Sequence, residues 1–201
     1  MSAANDLLLA TNNPKKVQEI RGILGSEFSG KILIAADFPQ FSDPEETGST
    51  FAENARLKAQ YYATRTGLAS LADDSGLVVD ALGGRPGVHS ARYAPTDTER
   101  IEKLLNELKD SGTTDRSARF VCAMCLCLPD SRVFEQTGVL EGEIGLEPRG
   151  CHGFGYDPVF IVKGGPSTLA ELDPEVKNSI SHRGQAMKKI RPDLLNALTP
   201  Q

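Results

Sequence analysis

Residues 70–84 read SLADDSGLVVDALGG and set two neighbouring carboxylates, Asp73 and Asp74, at the end of an apolar run. Two unit charges about 4 Å apart repel by roughly 1 kcal/mol in water and by about 4 kcal/mol near a protein surface. A solvated turn can absorb that cost, whereas a cation held between the carboxylates would remove it. Mg²⁺ takes oxygen ligands and commonly shares its shell with substrate phosphates, so carboxylates from separate loops suit it. A second acidic stretch, DPEETG at 43–48, adds Glu45 and Glu46 as oxygen donors.

Three further clusters offer complementary chemistry. TNNPKK at 11–16 reads as a strand-to-helix turn. Backbone N–H groups at the start of that helix, with Lys15 or Lys16, could receive a phosphate. It is not a Walker A loop, because the glycines and the Gly-Lys-Ser/Thr ending are missing. RGCHGFGYDPVF at 149–160 carries Gly153 and Gly155, which permit close backbone approach, and Phe154 and Tyr156, either of which offers a ring face to a base. KNSISHRG at 177–184 supplies Lys177 for phosphate, and His182 and Arg183 as hydrogen-bond donors. Taken singly, each cluster is also explained by a turn, a buried aromatic or a surface cation.

The elements that must position these residues alternate short apolar runs with amphipathic stretches. DLLLAT reads as a first strand, followed by a helix with Val17, Ile20 and Leu24 on one face and Gly25 as its stop. KILIA is a second strand, and residues 37–50 form a polar loop. Thr50 and Glu53 make a capping box for a helix ending at Gly67, and Thr96 and Glu99 make another. LASLA and LVVDAL read as separate strands on either side of a turn at 73–76. A long strand spans 117–128, RVFEQTGVLEGEIG forms a hairpin region, and PVFIV is a further strand. The tail from Ser181 is helical, with Pro192 expected to kink or split it. This pattern predicts one α/β domain over residues 1–201, without repeats or linkers.

Composition narrows the function. Hydrophobic residues make up 39% of the 201 and charged residues 24%, ordinary values for a globular chain. The net charge of −5 argues against a nucleic-acid coat but leaves room for a small anion held by a local basic cluster. The longest apolar run, Phe120–Leu128, is too short to span a membrane, and the start lacks the basic region of a signal peptide, so a cytoplasmic protein is expected. On a buried strand Cys122 faces opposite to Cys125 and Cys127, which even with Cys151-His152 nearby makes a poor zinc site.

Taken together, ATNNPKK, EETGSTFAENARLKA, ADDSGLVVDALGGRPGVHSARYA, ARF, GFGYDPVF and AELDPEVKNSISHRGQA resemble, in order and spacing, the inosine/xanthosine triphosphate pyrophosphatase family. The resemblance implies a long mixed β-sheet flanked by helices, with two lobes around a central cleft, in a homodimer. It implies hydrolysis of ITP, dITP and XTP to the monophosphate and pyrophosphate with Mg²⁺. Asp74 would be the general base and a metal ligand, with Asp73 supporting the metal and Glu45 or Glu46 helping to hold it. Substrate contacts would map to Thr11, Asn12, Asn13, Pro14, Lys15, Lys16, Lys58, Ser75 and Lys177, and the base pocket to Phe154, Gly155, Tyr156, Asp157, His182 and Arg183. Departures are Lys15, where the family often has glycine, Cys151-His152 ahead of GFGYD, and His89 in place of tyrosine. A pyrophosphatase for another base and a non-catalytic nucleotide-binding module remain the rival readings.

Overall fold

The computed structural model describes residues 5–25 and 28–198. In chain order its regular elements are β1 (Leu7–Leu9), α1 (Pro14–Leu24), β2 (Ile32–Ile34), α2 (Phe51–Thr66), β3 (Ala69–Val79), α3 (Asp97–Asp110), β4 (Ser117–Cys127), β5 (Val133–Ile144), β6 (Phe160–Val162), α4 (Pro174–Ile180) and α5 (His182–Leu198). The strands form one six-stranded sheet in the order β2-β1-β3-β4-β5-β6. β1 runs parallel to β2 and β3, whereas β5 and β6 are antiparallel, so the sheet is mixed as expected. No described helix is long and apolar enough to cross a membrane.

Contacts divide the chain into two compact units. One comprises the chain up to Asp74, Cys122–Gly138 and the chain from Arg183 on; the other comprises Ser75–Val121 and Val139–His182. In the first unit the pleat sorts side chains strictly by parity, because successive residues of a strand point to opposite faces. Leu7, Leu9, Ala69, Leu71, Cys122, Met124 and Leu126 join Val17, Ile20 and Leu24 of α1 and Ala186, Met187, Ile190 and Leu194 of α5 in one core. Leu8, Ala72, Ala123, Cys125 and Cys127 join Ala55, Ala59, Tyr62 and Ala63 of α2 in another. The cysteines thus behave as small buried hydrophobes. In the second unit Ile101, Leu104 and Leu108 of α3 pack with Leu77, Val79, Phe120, Leu140 and Phe160.

Local signals set the helix ends. Both capping boxes form: Thr50 Oγ1 accepts from the Glu53 amide at 3.2 Å, and Thr96 Oγ1 from the Glu99 amide at 3.2 Å. Gly67 ends α2 in the left-handed region, at φ +68°. Three expectations are corrected. Residues 73–76 are not a turn: β3 runs unbroken from Ala69 to Val79, because the carboxylates find buried partners on both faces and need no solvent. Val133–Ile144 is one strand, not a hairpin; the tight connection lies before it, where the Leu128 amide donates to the Arg132 carbonyl. α5 continues through Pro192, held along its length by the apolar face from Ala186 to Leu198.

β6 follows directly on the glycine-rich segment, and its seat on β5 is tight. A Cβ at Gly142 would stand 2.3 Å from the Ile161 carbonyl oxygen and 2.6 Å from the Phe160 ring. Gly142→Ala should therefore destabilise the protein by about 1–3 kcal/mol, the usual cost of overpacking, seen as a lower urea midpoint. An unchanged midpoint would show that β6 can shift without cost.

Candidate active site

The parity of β3 decides where its two carboxylates go. Ala69 and Leu71 face α1 and α5, and Asp73 is the next residue on that side. Ala72 faces α2, and Asp74 is the next on the other. The two side chains therefore leave the strand on opposite faces.

Asp73 has a side-chain exposure of 0%. Its Oδ2 accepts from Arg183 Nη2 at 3.0 Å and Nε at 3.3 Å, and meets Lys16 Nζ at 3.0 Å. Arg183, itself only 2% exposed, also donates from Nη1 to Glu19. Two cations and two anions thus close a buried, charge-balanced group. Burial alone would push the Asp73 carboxyl up, but the charges of Lys16, Arg183 and Lys58 outweigh it and hold the carboxyl far below the usual carboxylate range.

Asp74 is 7% exposed and lives in different company. Its Oδ2 accepts from the Asn54 side-chain amide at 3.0 Å, and its Oδ1 lies 3.7 Å from Lys58 Nζ. Lys58 also donates to Glu46 Oε1 at 2.9 Å and to the Asp73 carbonyl at 2.8 Å. Here burial prevails over the pull of Lys58 and Asn54, and the Asp74 carboxyl titrates above its ordinary value. Glu46 and Asp74 thus gather around one ammonium, whereas Glu45 is exposed and its carbonyl serves only the Thr47 amide in the local backbone. Among the described residues no three His, Cys, Asp or Glu side chains come close enough to hold an ion by themselves. Two carboxylates with phosphates to complete the shell is an arrangement Mg²⁺ accepts. Asp73 meets Arg183 and Lys16 through its carboxylate and Lys58 through its carbonyl.

The TNNPKK turn is wired differently from the expectation. Asn13 is the N-cap of α1, and its Oδ1 accepts from the amides of Lys15 at 3.0 Å and Lys16 at 3.4 Å. Those N–H groups already have a partner, so the charge offered by this turn is the Lys16 ammonium rather than the helix start. Thr11 Oγ1 accepts from the Asn13 amide, and Asn12 donates to Asp43, which also takes the Tyr62 hydroxyl at 2.8 Å. Pro14 is the first helical residue, and Lys15 points to solvent. Ser75, the residue after Asp74, is half-buried.

In the other unit, Asp157 and Lys177 form an ion pair at 2.7 Å with both side chains 4% exposed. The same Asp157 Oδ2 accepts from the Phe154 amide at 2.8 Å, and Lys177 Nζ lies 5.0 Å from the Phe154 ring centroid. A Cβ on Gly153 would stand 2.1 Å from Asp157 Oδ2, and its φ is +77°, so only glycine fits there. The Tyr156 hydroxyl donates to the Ser90 carbonyl at 3.0 Å. His182 stacks on Phe120, ring centroids 4.8 Å apart, while its neighbour Arg183 reaches Asp73.

Glu19 and Asn54 were not singled out in the sequence, although each lies one helical turn from a motif lysine: Glu19 three residues after Lys16, Asn54 four before Lys58. That spacing places each on the same helix face as its lysine.

Asp73→Asn removes the carboxylate charge that buried Arg183 and Lys16 share and should cost about 3–5 kcal/mol. An Asp whose folded pKa is depressed stabilises above its unfolded value of about 3.9 and loses that stabilisation as pH falls toward the folded value. The stability gap between wild type and Asp73→Asn, measured by urea unfolding, should hold between pH 7 and 5 and narrow by about 1.4 kcal/mol per pH unit below about 3.9. An undiminished gap at pH 3 would mean that the ionised carboxylate is not its source.

Comparisons with known proteins match nearly the whole chain. The sequence pattern of the Ham1 family matches residues 7–193. A "dITP/XTP pyrophosphatase" of Gloeobacter violaceus is 52% identical over 184 residues, covering 92% of this chain and 91% of the relative. One from Halalkalibacterium halodurans is 49% identical over 187 residues, covering 91% and 95%. Among solved structures, a HAM1 protein from Coxiella burnetii superposes with a TM-score of 0.87 at 46% identity, over 95% of this chain and 98% of its own. With sequence and architecture matched over nearly their full lengths, the chain belongs to the Ham1 family.

Proposed function

We propose that this protein hydrolyses non-standard purine nucleoside triphosphates (dITP, ITP and XTP) to the monophosphate and pyrophosphate, clearing deaminated purines from the nucleotide pool. Family membership and the names of its relatives support the reaction class. The observation that carries the chemistry is Asp74: a buried carboxyl with raised proton affinity, oriented by Asn54, beside Lys58 and Glu46.

Water attacks the α-phosphorus, its proton passes to Asp74, and the bond to the bridging oxygen breaks so that pyrophosphate departs with that oxygen. A base works best with a pKa drawn toward the working pH, which is the direction burial moves Asp74. Glu46 and Asp74 would hold Mg²⁺, which when bound offsets phosphate charge and makes the attacking water more acidic. Lys58 and Lys16 balance charge on the departing pyrophosphate. Asp73 acts indirectly, keeping Lys16 and Arg183 in place, and the turn Thr11–Lys15 and Ser75 line the phosphates. On the base side Phe154 stacks, and Gly155, Tyr156, Asp157, His182 and Arg183 shape the pocket, while Lys177 joins the phosphate contacts. Hypoxanthine and xanthine present a 6-oxo acceptor where adenine presents an amino donor. Donors aimed at that position lose their partner with ATP, a penalty of up to about 10⁴–10⁵-fold. The resemblance also implies a homodimer, and the net charge of −5 favours free nucleotides over nucleic acid as its partner.

Pyrophosphate release from dITP and dATP, with Mg²⁺ and then with EDTA, tests this directly. Fast, metal-dependent release from dITP alone is expected. Equal rates would keep the chemistry and remove the specificity, and no release from either would make the protein a nucleotide-binding module. Asp74→Asn should fold normally and lower turnover at least about 10²-fold, as for loss of a general base; near-normal turnover would take Asp74 out of the mechanism.

A further inference from the structure

The segment that carries Phe154 is gripped from outside itself. Gly155, at φ +61°, donates its amide to Asp97 Oδ2 at 2.9 Å. Asp97 is the first residue of α3, and its Oδ1 takes Arg100 Nη1 at 2.7 Å. The rest of the Arg100 fork is directed back onto the same stretch, Nε to the Ala94 carbonyl at 2.8 Å and Nη2 to the Pro95 carbonyl at 3.2 Å. Arg100 therefore fixes the approach to α3, and with it the direction in which Asp97 points.

The helix itself does not need this contact. Its start is already satisfied by the reciprocal Thr96–Glu99 box, so the reach of Asp97 to Gly155 lies outside the capping scheme. Within the segment, the Phe154 amide is taken by Asp157, which the buried Lys177 holds in turn. Two successive amides are thus claimed by two carboxylates from different elements. Asp157 thus fixes the peptide that enters Phe154 and Asp97 the one that leaves it, whose carbonyl also accepts from the Asp157 amide at 3.3 Å, so the backbone from which the Phe154 ring projects is held on both sides.

We propose that Asp97, oriented by Arg100, is a positioning residue for purine recognition: it locks the Phe154–Gly155 peptide and thereby presents the Phe154 ring to the base. The inference rests on the reading of Phe154–Asp157 as the base-holding segment. Asp97 bonds Gly155 and Arg100, neither of which is assigned to the reacting phosphates, so its loss should act on KM rather than on turnover. The contact is a charge-assisted hydrogen bond with an Asp97 side chain 43% exposed, which limits the effect to a moderate one.

The test compares Asp97→Ala, Asp97→Asn, Thr96→Ala and Phe154→Ala in steady-state hydrolysis of dITP, with amide hydrogen exchange at Gly155 followed by NMR. Asp97→Ala should raise KM about tenfold, leave kcat within about twofold and speed exchange at Gly155. Asp97→Asn keeps an acceptor oxygen and should restore most of the affinity. Thr96→Ala, which weakens the helix start alone, should lower the melting temperature without moving KM. Unchanged KM and unchanged Gly155 exchange in Asp97→Ala would overturn the proposal, as would an equal rise in KM from Thr96→Ala. If Gly155 exchange quickens but neither Asp97→Ala nor Phe154→Ala moves KM, the base-holding reading falls and the proposal with it.

Discussion

A carboxylate with no exposure must be met by charge, since the desolvation of an ion in a protein interior costs several kcal/mol. At Asp73 that charge comes from Lys16 on α1 and Arg183 on α5, residues drawn from the two ends of the chain onto the middle of β3. Removing either partner leaves a buried ion, so the strand and the two helices hold their relative positions or lose stability together. Lys58 adds a tie from α2 by donating to the Asp73 carbonyl, which anchors the same residue through its backbone. The position of Asp74, one residue on, follows from that anchorage. Its distance to Lys58 and its bond to Asn54 are as well defined as the strand that carries it.

Two identical side chains in sequence thus acquire opposite chemistry. Asp73, among Lys16, Arg183 and Lys58, stays ionised at any working pH, while Asp74, desolvated and with a weaker set of partners, holds a proton more readily. Pairs of titratable groups whose surroundings push them apart mark a division of labour between a fixed charge and a proton acceptor. The instrument of that division is the pleat: one residue of translation along β3 turns the side chain from the α1/α5 layer to the α2 layer.

The FGYD segment applies a related device to a loop. Asp157 is buried with Lys177 and takes the Phe154 amide, and Gly153 leaves room for that carboxylate to lie against the backbone. Backbone donors that would otherwise face water are satisfied by side chains, and a segment with little regular structure gains a defined shape. Lys177, through Asp157, is tied to the segment that carries Phe154.

Much of this was legible in the sequence by itself. The capping boxes at Thr50 and Thr96, the stop at Gly67, the apolar faces of α1 and α3 and the α/β class all follow from local propensity and periodicity, which act over a few residues. The order of the motifs identified the family, and with it the residue types of the site. The sequence did not determine which partners those residues take. Asp73 and Asp74 read as one acidic turn because their separation onto two faces depends on β3 continuing, and β3 continues only because Lys16, Arg183, Lys58 and Asn54 arrive from elsewhere in the chain. The pairing of Glu46 with Lys58, the capture of the α1 amides by Asn13, and the reach of Asp97 to Gly155 are likewise contacts between distant or folded-back segments. Their energies exist only once the sheet and its helices have closed around them, and so the tertiary structure decided them.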